Sequence, residues 1–187
     1  MIERGGRRSY IAQMSDTVMP ILQPPHPALR AKTRRIGPND ADAVAALLPR
    51  LFATMYAAPG IGLAAPQVGV ALRLAIVDLR PNDVPVPMVL INPEIVGVSE
   101  EWTAREEGCL SLPGHYADVS RPALVRVRYT DAAGVIHEVE ADGLLAACLQ
   151  HEIDHLDGVL FVDHISALKR NMILRKMAKE RKLRASA

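Results

Sequence analysis

The pentapeptide HEIDH at His151–His155 restricts the fold of this chain more than any other stretch, because on a helix its two histidines, four residues apart, stand a single turn from each other on one face. Its surroundings supply that helix. From Asp142 to His155 apolar residues recur at helical spacing, with Leu145, Leu149, Ile153 and Leu156 as a core stripe, and Asp157-Gly158 is a stop signal. Leu144, Cys148, His151 and His155 run beside that stripe, so the imidazoles stand at the edge of a core.

Histidines so placed can chelate one metal ion. Glu152, next to the first of them, points sideways from the pair and can take a proton from a water held at the ion without being a ligand. The plainer alternative is two half-buried histidines satisfied by backbone carbonyls, with Glu152 and Asp154 merely solvated. A catalytic site of this kind wants a third protein ligand and an open position. Cys109, in EGCLSLPG among turn-forming residues, is the best candidate. Cys148, one turn before His151, reads as a small hydrophobe lining the pocket, although the sequence leaves it open as the ligand in place of Cys109.

The remaining elements are shorter. Asp40 to Met55 places Val44, Leu47, Leu48, Leu51 and Met55 on one helical face, with Pro49 marking either a kink or a second start. GIGLAAPQVGV, beginning at Gly60, reads as a loop whose glycines let backbone approach something closely. Leu72–Leu79, Met88–Asn92, Ile95–Val98, Leu124–Tyr129 and Val135–Val139 read as short strands separated by turn signals, which points to antiparallel pairing. A further helix fills Ile165 to Arg184.

A chain of 187 residues suits one domain. Residues 1–13, with Arg4, Arg7 and Arg8 and little apolar periodicity, read as a loose extension before a single catalytic domain at 14–187. A mitochondrial targeting segment is the weaker alternative there, given Glu3 and the short length. No run of about 18 apolar residues and no secretory block is found, so no membrane role and a cytoplasmic setting are expected. The two cysteines are then free thiols. A net charge of +1 argues against the whole protein being an electrostatic nucleic-acid binder, and no direct sequence-specific nucleic-acid binding is expected.

Three segments, GIGLAAPQ at Gly60–Gln67, EGCLS at Glu107–Ser111 and QHEIDHLDG at Gln150–Gly158, occur in an order and at a separation that resemble the signature motifs of the peptide deformylase family. The similarity runs from about residue 19 to 180. It implies an α+β fold, with antiparallel sheets packed around the helix bearing HEIDH and a C-terminal helix. The implied reaction removes the formyl group from the N-terminal methionine of nascent polypeptides and releases formate. The implied cofactor is one divalent metal ion, ferrous iron first, with zinc, nickel or cobalt able to take the site.

By the same resemblance Cys109, His151 and His155 bind the metal and Glu152 is the general base. The Gln67 side-chain amide and the Leu110 backbone N–H donate to the oxyanion. Ile61 and Gly62 pair with the substrate backbone by strand addition. Leu144, Ala147 and Cys148 receive the methionine side chain, with Glu107 at the rim. Tyr116 stands where some relatives carry a basic residue that contacts the peptide. A zinc peptidase shares H-E-x-x-H, but its third ligand is more often His or Glu, and the cysteine of EGCLS speaks against it.

Between Lys169 and Arg184 eight Lys or Arg stand against one acidic residue, interleaved with Met172, Ile173, Leu174, Met177 and Leu183. On charge pattern alone this is as well read as a solvated helix packing its apolar side on the domain. The family resemblance adds the ribosome as a partner of this helix.

Overall fold

The computed structural model of the chain describes residues 18–186, so the extension expected at 1–13 lies outside the described residues. Three helices, α1 (Ala41–Ala57), α2 (Gly143–Leu156) and α3 (Ala167–Ala185), accompany seven strands. β1 (Gly62–Ala64), β2 (Leu74–Val77), β3 (Met88–Val98), β6 (Leu124–Thr130) and β7 (Ile136–Asp142) form a sheet in the order β1-β2-β3-β6-β7, antiparallel throughout. β4 (Trp102–Cys109) and β5 (Leu112–Pro122) form a separate antiparallel ribbon. The expected α+β architecture is the one found.

The core explains the layering. Ala75 and Val77 of β2 pack with Leu149, Ile153 and Leu156 of α2, whereas Leu74 and Ile76 pack with Leu47, Leu51 and Met55 of α1. Alternate side chains of a strand point to opposite faces. β2 is therefore covered on both sides, and all four of its residues are buried. A third cluster joins Leu112 and Val119 of β5 to Leu29, Leu160, Phe161 and Met177, which seats the ribbon against α3 and the turn before it.

Several expectations resolve here. The helix through Pro49 is one piece, Ala41–Ala57. The break expected at Asn92–Pro93 is a bulge within one strand: Asn92 has a positive φ of 51°, and the register shifts between Ile91 and Glu94. Its side chain is tied to Ile36, accepting from the backbone N–H at 2.8 Å and donating to the carbonyl at 2.9 Å. The GIGLAAPQ stretch is partly strand, since β1 lies inside it. The ribbon β4-β5 was not foreseen; Arg105, Glu106 and Glu107 in one strand and Pro113 and Gly114 in the other work against strand propensity.

Candidate metal centre

Cys109 closes β4, and α2 turns His151 and His155 toward it. The sulfur and ring-nitrogen atoms that these three residues could offer to a metal ion lie within 4.8 Å of one another. Cys109 Sγ is 3.2 Å from His155 Nε2, and the two imidazoles meet edge to face with centroids 4.9 Å apart. Cys148 lies outside the group, its Sγ turned to the Ile61 carbonyl at 3.8 Å. Burial and the charges of Glu152 and Glu107 push that thiol up, so it stays protonated.

The cluster is fixed from behind. His151 Nδ1 donates to Glu107 Oε2 at 3.0 Å, which leaves the Nε2 lone pair for the cluster. Glu107 is gripped by Arg121, Nε to Oε1 at 2.6 Å and Nη2 to Oε2 at 3.0 Å. Arg121 Nη1 continues to Asp154 Oδ2 at 2.8 Å, which also meets His164 Nε2 at 2.7 Å. Burial alone would raise the Glu107 carboxyl, but the hydrogen bonds from His151 and Arg121 outweigh it and hold the group at about 2.

The same neighbours act on the histidines. Burial pushes His151 down, yet Cys109 and Glu107 more than reverse this and push it well up. Burial pushes His155 well down, helped by His151. The negative groups that face His151 favour positive charge at the cluster, the electrostatic condition a divalent cation also meets. His155 Nδ1 is buried with no hydrogen-bond partner among the described residues. Thiol and imidazole donors in this number fit a metal with a position left for water.

Glu152 projects from α2 beside this cluster. Burial, reinforced by Glu107 and opposed by His151, pushes its carboxyl up to about 7, and its Oε2 is buried without a partner. The backbone of β1 closes over it. A Cβ at Gly62 would stand 2.8 Å from Glu152 Cδ and 3.0 Å from Cys148 Sγ, so only glycine lets the strand come this near. On the other side, Gln67 is buried with its carbonyl oxygen held by the Ala64 N–H at 2.8 Å. That bond aims Nε2 at the site, 3.1 Å from Ser111 Oγ and 3.5 Å from Cys109 Sγ. Leu110 occupies the two-residue turn between β4 and β5.

A cleft of ≈ 790 Å³ opens over the cluster, lined by Ile61, Gly62, Gln67, Leu110, Leu144, Ala147 and Cys148 among others. Of the site residues expected from the sequence, all but His155 line it, and His155 Nε2 stands 3.2 Å from Cys109 Sγ. Two details differ from the simplest picture. Ile61 already gives its carbonyl to the Asp78 N–H at 2.8 Å, and alternation along an antiparallel strand turns the Gly62 groups to the open edge. Glu107 lines the cleft, but its carboxylate is occupied by His151 and Arg121. Arg121 and Asp154 were missed as parts of the site, since only the ribbon's pairing and the helix phase bring them together.

An α+β fold that presents a cysteine and an H-E-x-x-H helix to one deep cleft is that of a mononuclear metallohydrolase. Comparison with known proteins narrows the class. The polypeptide deformylase family matches residues 18–171. The chain is 52% identical over 163 residues to the peptide deformylase of Mesorhizobium japonicum, covering 87% of this chain and 92% of that one. The crystal structure of a peptide deformylase from Legionella pneumophila superposes with a TM-score of 0.83 at 44% identity, covering 91% and 99%. A Met-Ala-Ser-bound class I type b peptide deformylase from Acinetobacter baumannii gives a TM-score of 0.75 at 35% identity, covering 79% and 98%. The chain belongs to the polypeptide deformylase family.

Proposed function

We propose that this cleft hydrolyses the N-formyl group of formyl-methionine at the start of nascent polypeptides, giving formate and a free amine. The observation that carries the reading is Glu152: a buried, unpartnered carboxylate with its proton affinity raised, set between a Cys-His-His cluster and an aimed glutamine amide. Cys109, His151 and His155 would hold one divalent ion, ferrous iron by family likeness, with zinc, nickel or cobalt as substitutes. When bound, such an ion supplies a water of lowered pKa and polarises the formyl oxygen.

Glu152 accepts the proton of the attacking water and returns it to the departing amine as the C–N bond breaks. The Gln67 amide and the Leu110 N–H stabilise charge on the formyl oxygen, donors whose loss typically costs on the order of a hundred- to a thousandfold in rate. Gly62 offers backbone N–H and C=O to an extended peptide at the open edge of β1. Leu144, Ala147 and Cys148 make the apolar wall for the methionine side chain. The Met-Ala-Ser bound in the Acinetobacter baumannii protein has the chemistry of the peptide that this reaction would leave.

α3 extends the reading to the place of work. Its Lys and Arg are exposed or half-buried around a single buried residue, Met177, and they suit the phosphate backbone of ribosomal RNA near the emerging chain. No helix among the described residues is long and apolar enough to cross a membrane, and a cytoplasmic enzyme is the reading that goes with ribosome docking. The test is formate release from formyl-Met-Ala-Ser by protein purified without oxygen. Formate should appear with acetyl-Met-Ala-Ser left intact; cleavage of internal peptide bonds, or of neither substrate at full metal occupancy, would overturn the assignment.

A further inference from the structure

The cleft carries a cation that the proposed chemistry does not use. Arg105 leaves β4 two residues before Glu107, hence from the same face of the ribbon, and reaches the start of α2. One of its terminal nitrogens, Nη2, is 3.7 Å from where a Cβ on Gly143 would lie, next to half-exposed Leu144. Arg105 and Leu144 line the cleft together with Ala147 and Cys148.

Nothing among the described residues explains Arg105 as a structural charge. It makes no ion pair within 4.0 Å among the described residues, and Glu107, on its own face of the ribbon, is taken by Arg121 and His151. Glu106 also lines the cleft, but strand alternation sends its side chain and that of its cross-strand partner Asp118 from the ribbon's other face, and neither pairs with Arg105. Asp142, just before Gly143, makes no capping bond and no pair with Arg105. Nor does the start of a helix favour a cation, since that end of the dipole is positive.

We propose that Arg105 is a specificity-determining residue that favours an acidic side chain at the third position of the formylated peptide. The inference rests on the deformylase reading and adds to it. In an extended peptide, residues one and three project to the same side, roughly 7 Å apart at about 3.3 Å per residue. With the methionine side chain against the wall of Leu144, Ala147 and Cys148, the third side chain is carried along that wall toward Arg105, which lines the cleft beside Leu144. The second side chain points the other way.

The experiment measures kcat/KM for formyl-Met-Ala-Glu, formyl-Met-Ala-Ala and formyl-Met-Ala-Lys, all as C-terminal amides so that no terminal carboxylate competes for the guanidinium. At low salt the parent should prefer Glu over Lys by about fivefold, the scale of an exposed ion pair. The ratio should fall to near one in Arg105→Ala and invert in Arg105→Glu. Moving Glu and Lys to the second position should leave less than a twofold difference. Equal rates for all three peptides in the parent, or a preference unmoved by both variants, would overturn the inference while leaving the deformylase reading intact. Failure to cleave formyl-Met-Ala-Ala amide would remove both.

Discussion

Glu107 shows how much one residue does behind the Cys-His-His cluster. Its carboxylate orients His151, neutralises Arg121 and sits at about 2 against an ordinary 4.5. A carboxyl whose folded pKa is depressed stabilises the fold fully above its unfolded value and loses that contribution as pH falls through the folded one. Glu107→Gln should therefore lower thermal stability at pH 7 and bind metal on the order of 10- to 100-fold more weakly. The stability gap between parent and variant should shrink between pH 4.5 and about 2, which acid denaturation followed by circular dichroism reads directly. A gap constant with pH would show that the hydrogen bonds, not the charge, carry the effect. At this scale the site was unusually legible: His151, Glu152 and His155 share one helix, so their spacing alone states their geometry. Arg121 was not legible, because its partners lie across a ribbon and on a helix that spacing does not join.

Among the elements, α2 was read from the sequence to within a residue, Asp142 to His155 against Gly143–Leu156, because periodicity and stop signal agree there. Gly158 makes the stop obligatory. It has a φ of 76°, and a Cβ there would lie 2.5 Å from the Arg30 carbonyl oxygen. Gly158→Ala should cost about 2 kcal/mol, seen as a Tm lower by roughly 5 °C. A Tm within one degree of the parent would mean the turn can re-form around a side chain. The ribbon β4-β5 fared worse. Its strands bury a face against α2 and α3 while carrying charges and a proline-glycine pair that local propensity assigns to loops, so tertiary packing decides the outcome. That is why Cys109 reads from its motif as a candidate ligand presented from a strand or loop, without the choice between the two being made.

At the scale of the whole molecule, the cleft is assembled from parts remote in sequence: an edge strand after α1, a two-stranded ribbon and the central helix. The sheet order and the seat of the ribbon had no signature in any single window, whereas the resemblance carried by three short motifs anticipated both the architecture and the residues that converge. α3 leaves Leu168, Met172 and Leu183 exposed beside its basic residues. If it docks on the ribosome through phosphates, co-sedimentation should fall steeply, by an order of magnitude or more, between 50 mM and 200 mM salt. Binding that ignores salt would show that the helix does not dock through phosphates.

The most direct measurement is formate release by Glu152→Gln, with metal content determined in parent and variant. The substitution keeps size and removes the proton acceptor without touching Cys109, His151 or His155. Equal metal occupancy with a rate lower by about 10²- to 10⁴-fold is the predicted result. A variant that holds its metal and retains the parent's rate would contradict the account, because the proton would then be moving through a group other than Glu152.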